Sequence, residues 1–575
     1  MARVRARRAV ALAFVVALGG LVPGASAATP FDTAEDAMLT AVAPRGWVDP
    51  IITVGDMVGT YRFDAIPDGI AIRSGTTGTA QVYVNHELST VPFPYTPSGP
   101  TEANSQNDFG NAKLSKLTIN TAAGTVAAAA TPIGSGQGFQ RFCSSFLAGP
   151  AQGFSRELLL TNEEAVDWVN RTGASWPATE GADNARQAGV VVAHDVRTGA
   201  TRPIWGLGRL NHENSLAVPG YNRPVVLTGD DTFVNSPSQS QLYQYLAVNA
   251  DALWNDTGNL FAFVSDDPTK QKYEDFPRGS TASVTGHFIR IPKLIATGRN
   301  PDGTDVMSTD AEAALGVPAG TYAPPTDGSF SRPPGATSGP SVDGPQWVLE
   351  RWSQLHGVFR FIRLEDMAYD KRPGMANVVY LVDSGRGSAG AVADGKSTNG
   401  RIWKMVLSKT NPTLVTSMSI LIEGDDNEVK TRSEMHQPDN IESTVNGLYF
   451  TEDPGSSQQF NFTDQLNDPR RTEARIWQYR LSTGALRVVA KVDQSADEGP
   501  TDVDAAGRGN LGAWEASGIV DASRWFGPGT FLVTVQAHTL WVAKDGPSDG
   551  TGREGQAFTY KREGGQLVIL HIPGA

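Results

Sequence analysis

Six short apolar runs punctuate the chain, and each ends in polar, mostly acidic residues. They are VYVNHE (82–87), LLLTNEE (158–164), VVLTGDD (225–231), VVYLVDSG (378–385), LYFTEDPG (448–455) and FLVTVQAH (531–538). Runs of this length, closed by turn formers, predict β-strands. About 9 to 15 residues before each run lies a second element, a polar residue near a small or apolar pair. These elements are Asp68-Gly69-Ile70, Cys143-Ser144-Ser145-Phe146, Glu213-Asn214-Ser215-Leu216, Glu365-Asp366-Met367-Ala368, Asp439-Asn440-Ile441 and Glu515-Ala516-Ser517-Gly518-Ile519. After most runs comes a third element with an aromatic or β-branched centre: AKLSKLTIN, AGVVVAHDVRTGA, SQLYQYLAV, GRIWKMVLS and ARIWQYRLSTGA.

Strand, turn, strand, loop, strand at intervals of roughly 70 residues is the rhythm of a β-propeller. One blade cannot bury both its faces alone, so blades stack around an axis. Six copies predict an all-β fold, a six-bladed β-propeller with long loop insertions, as a single domain over residues 28–575. The rhythm breaks between 231 and 378, where the interval about doubles. An insertion around 250–360, lid-like in character, accounts for the gap; an extra blade is the alternative. Residues 298–345 are rich in Pro, Gly, Ser, Thr and Asp and predict long loops. Two β-sandwich domains are the rival architecture.

Composition sharpens this picture. With 61 Gly and 36 Pro among 575 residues, the chain is too turn-rich for a helical bundle. A net charge of −13 argues against nucleic acid and anionic membrane surfaces, and suits cations. The first eight residues, MARVRARR, carry four arginines; the apolar run AVALAFVVALGGLV and the motif Ala25-Ser26-Ala27 follow. This is the pattern of a signal peptide over residues 1–27, cleaved after Ala27. The expected location is secreted or periplasmic, with no stable membrane anchor. Arg7-Arg8 before the apolar run hints at twin-arginine export. The single cysteine, Cys143, cannot form an internal disulfide.

The first strand of each propeller blade lines the central channel, so equivalent positions converge although they are far apart in sequence. Those positions hold Asp68, Cys143, Glu213, Glu365, Asp439 and Glu515. Five carboxylates and a thiol in a low-dielectric channel cannot all ionise unaided. Bound cations resolve the conflict. Carboxylates suit Ca²⁺, and a thiolate among them suits a transition metal such as iron or zinc. The ends of the second strands add Asn85, Glu87, Glu163, Glu164, Asp230 and Asp231 near the same rim. Taken singly, each acid has a plainer reading as a turn former, and Cys143 as a small buried hydrophobe. His86 and His212 stand beside glutamates and are expected to support ligands rather than ligate. Motifs for a nucleophile elbow, an HExxH zinc site or a P-loop are absent. A metal-centred hydrolase is therefore the favoured enzyme reading.

The segments VYVNHE, FCSS followed by LLLTNEE, GRLNHENS, Arg363-Leu364-Glu365-Asp366 and QPDNI resemble, in order, segments of the PhoX-type alkaline phosphatases. These are exported bacterial phosphomonoesterases on six-bladed propellers. The chain departs from the family in Leu364, where the family has Pro, in TNEE, and in Ser144-Ser145, where the family has a Gly pair. The resemblance implies a cluster of two Fe³⁺ and several Ca²⁺ ions. It assigns Cys143, Glu213 and Glu365 to iron, and Asn85, Glu87, Glu164 and Asp439 to calcium or shared roles. It also implies that Arg363 contacts substrate phosphate. Arg363 lies two residues before Glu365, so on a strand both face the same side. A structural ion pair with a nearby acid is the plainer role for Arg363.

The expected function is hydrolysis of a small-molecule phosphate monoester by a monomer, with a metal-bound oxide or hydroxide as nucleophile in the channel. The alternatives are another calcium-dependent propeller hydrolase, phytase- or lactonase-like, and a non-catalytic binding propeller that Ca²⁺ only stabilises.

Overall fold

The computed structural model describes residues 30–89, 110–166, 168–170, 185–232, 238–325, 343–385, 399–425, 435–453, 472–494, 514–543 and 558–575. The proposed signal peptide lies outside them. The described chain is all-β and propeller-like. Four antiparallel sheets begin at strands Pro67–Ser74, Phe142–Ala148, Pro438–Ser443 and Glu515–Asp521. A nine-stranded sheet runs from His212–Ala217 at one end to Leu364–Tyr369 at the other, and these two end strands lie side by side. We call the six named strands the inner strands. Each packs beside the next in chain order, and Glu515–Asp521 packs back against Pro67–Ser74.

Every inner strand pairs with the apolar run that follows it: Thr79–His86, Leu158–Glu163, Val225–Asp230, Val378–Asp383, Gly447–Glu452 and Thr530–Ala543. In all six pairs the register slips within the first residues of the inner strand, as between Pro67 and Ile70 or between His212 and Ser215. A bulge breaks strict alternation and re-aims side chains, so neighbouring residues can both contribute to one site. Just before four of these strands the backbone turns through the left-handed region, at Ile66, Arg141, Arg363 and Gln437. Non-glycine residues rarely sit there, and the repetition marks a shared entry into the channel.

Two glycines show how closely the inner strands approach. A Cβ on Gly69 would stand 2.5 Å from the Ser145 nitrogen, and one on Gly518 would stand 2.5 Å from the Asp68 carbonyl oxygen. Only hydrogen fits between these backbones.

Four of the six second strands end in a buried acid that locks the entry turn. Glu163 accepts the Gln140 N–H at 2.9 Å, and Glu452 accepts the His436 N–H at 2.8 Å. Asp383 accepts the Ile362 N–H at 3.0 Å and Asp230 the Asn211 N–H at 3.3 Å. Two of these acids carry an arginine as well: Arg186 on Glu163 at 2.8 Å and Arg475 on Glu452 at 2.8 Å.

The long interval between repeats holds strands Asn259–Ser265 and Ser283–Arg290, the second of which pairs with Leu414–Glu423 and so fuses two repeats into one sheet. Helices Lys293–Thr297, Ser308–Leu315 and Pro345–Leu355 follow, and Ser308–Leu315 falls within residues 298–345, where composition predicts loops. The last helix buries Val348, Leu349 and Trp352 against Tyr243, Tyr245 and Leu260. Its Trp347, Val348 and Trp352 follow helical spacing, but the Pro- and Gly-rich stretch before them hides the signal.

Glu350 of this helix is buried and accepts amide N–H groups from Gln354 at 2.7 Å and Gln241 at 2.5 Å. Burial raises its carboxyl from 4.5 to about 7. The folded state therefore holds this proton more tightly than the unfolded chain does. The associated stability is complete below pH 4.5 and is lost as pH rises through about 7. Glu350→Gln keeps the shape and removes the titration. Its stability relative to the parent should rise by about 3 kcal/mol between pH 4 and pH 8 in denaturant melts. A flat difference across that range would show that Glu350 ionises without cost.

Candidate metal centre

The inner strands bring the equivalent polar positions together. Among the described residues, three triads have donor atoms that all lie within 4.8 Å of one another: Asp68, Glu87 and Cys143; Cys143, Glu164 and Glu213; Glu213, Glu365 and Asp439. Cys143 belongs to two triads and Glu213 to two, so the three form one continuous string. Cys143 Sγ lies 2.7 Å from Asp68 Oδ2 and 2.8 Å from Glu213 Oε2. All seven residues are buried.

The second-strand ends supply a further ring, and here adjacent acids have opposite fates. Glu163, Asp230 and Glu452 turn to the entry N–H groups described above. Their successors Glu164, Asp231 and Asp453 turn to the channel: Glu164 joins a triad, while Asp231 and Asp453 meet Arg363. Glu87 follows His86 in the same way and accepts an N–H from Gln536 at 2.7 Å.

Hydroxyls and amides hold the ring in place. Ser144 donates to Glu213 at 2.6 Å and accepts from Asn440 at 2.7 Å. Ser517 donates to Asp68, and Ser384 donates to Glu365 at 2.5 Å. Asn162 donates to the Ser144 carbonyl at 2.8 Å. Asn85, an expected ligand, gives its amide N–H groups to the carbonyls of Cys143 and Ser144. Its Oδ1 is left buried without a partner and is the one atom Asn85 could offer a cation.

Burial and mutual repulsion dominate the electrostatics of the site. Burial, followed by the charges of Asp439, Glu365 and Asp68, pushes the Glu213 carboxyl well above its ordinary range. Burial and repulsion likewise raise Glu87, Glu164, Glu365, Asp439 and Glu515. Burial, then Asp68, Glu213, Glu87 and Glu164, pushes the Cys143 thiol up. One S–H proton cannot serve both carboxylates that touch Cys143 Sγ, whereas a cation held by all three groups could. The Glu213, Glu365 and Asp439 triad is all oxygen and suits a hard cation. The two triads containing Cys143 mix sulfur with oxygen and suit a transition metal. The donor set thus fits both classes of ion.

Arg363 reaches this centre by a different route from the expected one. It precedes the inner strand Leu364–Tyr369 and sits in the left-handed entry turn, φ 56°, so strand alternation does not govern it. Its guanidinium clasps Asp231 through two bonds of 3.0 Å and lies 3.2 Å from Glu365 and 3.4 Å from Asp453. Burial opposes its charge, but Asp231, Glu365 and Asp453 outweigh burial and hold it protonated.

His86 and His212 are satisfied core residues. His86 meets Ser115 at 2.7 Å and His212 meets Thr228 at 2.7 Å. Burial lowers them to about 4 and about 3, so both are neutral.

His538, at the end of the sixth run, is different. Its Nδ1 lies 2.5 Å from Glu563 and its Nε2 3.5 Å from Glu515. Burial works against its charge, but Glu563, Glu87 and Asp453 lift it to about 9. His538 and Asp453 escape a residue-by-residue reading. The repeat register points to Asp453, because it follows Glu452 as Glu164 follows Glu163. Glu563 arrives from a third strand and carries no such signal. No protein-family model matches this chain, and no curated protein matches it.

Proposed function

We propose that the protein is an exported, cation-dependent phosphomonoesterase on a six-bladed propeller, with the channel as its active site. The observation that carries this reading is the string of three buried triads, joined through Cys143 and Glu213, with the Arg363 guanidinium beside it. Six inner strands, each packed on the next and each followed by its own partner strand, support the blade count. The resemblance to PhoX-type phosphatases supports Fe³⁺ at Cys143, Glu213 and Glu365. It supports Ca²⁺ at Asn85, Glu87, Glu164 and Asp439, and cleavage of the leader after Ala27.

In this reading the bound cations supply positive charge against the phosphate and a nucleophile at neutral pH. The chain's own residues bind and orient. Ser144, Ser384, Ser517 and Gln536 fix the carboxylates through hydrogen bonds. Asp231 holds Arg363 by two bonds, so its planar fork meets a phosphate monoester with little side-chain entropy left to lose. His538 adds a second positive group at the same rim.

The three acids around Arg363 also favour a second reading, in which it is a structural ion pair and the channel only binds Ca²⁺. Elemental analysis of the exported protein beside a chromogenic phosphomonoester assay separates the two. Arg363→Ala should keep its metals and lose about 30- to 1000-fold in kcat/KM, as expected when a charged hydrogen bond to the transition state is removed. Arg363→Lys should recover part of the loss. Lowered metal content or stability with full activity per bound iron would place Arg363 in the structural role. Hydrolysis without iron would favour a phytase- or lactonase-like enzyme.

A further inference from the structure

We infer that the far half of the central channel is a second binding site, for a small apolar molecule bearing a hydrogen-bond donor, an alcohol or an amine. Beyond the cation ligands the six inner strands run on and line a cavity of about 330 Å³. That is room for about ten waters at liquid density and lies within the range of small-molecule sites. Its walls include Ile70, Phe146, Leu216, Met367, Ile441 and Ile519, one from each inner strand. Water gains little from such walls, whereas an apolar body covers them favourably.

Polar and charged residues share the lining with these apolar ones, and two of the polar side-chain atoms lack partners. Asn214 is 3% exposed and gives its amide N–H to Asp366, which leaves its Oδ1 buried with no partner. Ser145 Oγ, which also lines the cavity, is likewise buried without one. An unpaired buried oxygen costs free energy that an incoming O–H or N–H removes. A donating head group suits the site, because Asn214 Oδ1 can only accept and Ser145 Oγ can accept as well. At the mouth, Lys371 pairs with Glu442 at 2.6 Å, and Arg524 stands with Asp521 among the lining residues. Both signs are present, so the entrance does not by itself select the charge of the head group.

This inference does not depend on the hydrolase reading, and its test reads binding alone. The cation-loaded full chain is titrated calorimetrically with n-alkanols from butanol to decanol, with n-alkylamines of the same lengths, and with n-alkyl carboxylates. Affinity should rise about four-fold per methylene and stop rising once the cavity is filled. Saturation by alkanols or by alkylamines supports the site, and the stronger series identifies the head group. Ser145→Phe, which fills the cavity, should abolish the heats; Ser145→Ala should keep the chain-length trend and bind alkanols several-fold more weakly. If Ser145→Phe does not fold, Ile519→Trp fills the same space from another strand. No saturable heat with either donor series would mean the cavity holds water only. Unchanged binding in the filled variant, or carboxylates bound as tightly as alkanols, would equally overturn the assignment.

Discussion

Glu213→Gln should strip the proposed centre of most of its cations and cut the proposed phosphomonoesterase activity by roughly 10³- to 10⁴-fold, the scale of several kcal/mol of charge stabilisation. Glu213 is shared by two of the three triads, so a neutral amide there weakens both at once. Asp68→Asn touches a single triad and should spare the other two. Elemental analysis of the two variants therefore gives different stoichiometries. The pH dependence carries a sign as well. Burial and repulsion raise Glu213, Glu365 and Asp439, so the cation-free protein holds protons there that the folded site prefers to keep. Its stability falls as pH rises above the ordinary carboxyl range, and cations restore it by displacing those protons. Thermal stabilisation by added cation should thus grow with pH in the parent and be much smaller in Glu213→Gln. Equal metal content in Glu213→Gln and the parent would remove Glu213 from the ligand set.

Glu452→Ala should be the most damaging change away from the channel acids, at about 3–5 kcal/mol, the scale of breaking a buried ion pair by removing one partner. Glu452 is fully buried. It accepts N–H groups from the His436 and Arg475 backbones at 2.8 and 2.9 Å, from the Arg475 side chain at 2.8 Å, and from Trp477 at 2.9 Å. Its loss removes an acceptor from the Arg475 guanidinium, from two buried backbone N–H groups and from the Trp477 indole. The double variant Glu452→Ala/Arg475→Met should recover part of the loss, because the charge goes with its partner. Chemical denaturation at saturating cation measures both. A loss under 1 kcal/mol in the single variant would show that the entry turn stands without this lock.

Much of the architecture was legible because it is written six times. A polar residue, a short gap and an apolar run recur often enough that strand positions, and the convergence of Asp68, Cys143, Glu213, Glu365, Asp439 and Glu515, follow from counting. What counting could not separate was Glu163 from Glu164, or Asp230 from Asp231. Each pair straddles the end of a strand, and which member faces the channel follows from tertiary pairing that the sequence pattern does not show. Arg363 shows the same limit. Strand alternation placed it near Glu365, but a left-handed turn is what carries it there. The role of Asn85 turns on a single atom, Oδ1, since its N–H groups go to the neighbouring backbone. Helix Ser308–Leu315 was hidden because a short polar helix between Pro- and Gly-rich segments has almost no apolar period. Glu563 was hidden because only tertiary pairing brings its strand beside His538.

Two of the sheets are completed by strands from the opposite end of the chain. Leu39–Ala41 pairs with Leu486–Val492, and Trp47–Thr53 pairs with Phe558–His571, where Trp47 stacks on His571. During synthesis, at roughly 5–20 residues per second, Trp47 waits about half a minute to two minutes for its partner. Throughout that time the early strands have open edges that could pair wrongly. Pro50, which cannot donate to a ladder, interrupts the waiting strand and blunts its edge. Contacts this distant in sequence form late and slowly. Closure of the ring is therefore the last act of folding, and the buried acids of the channel reach their final spacing only when the first-made strands have met the last.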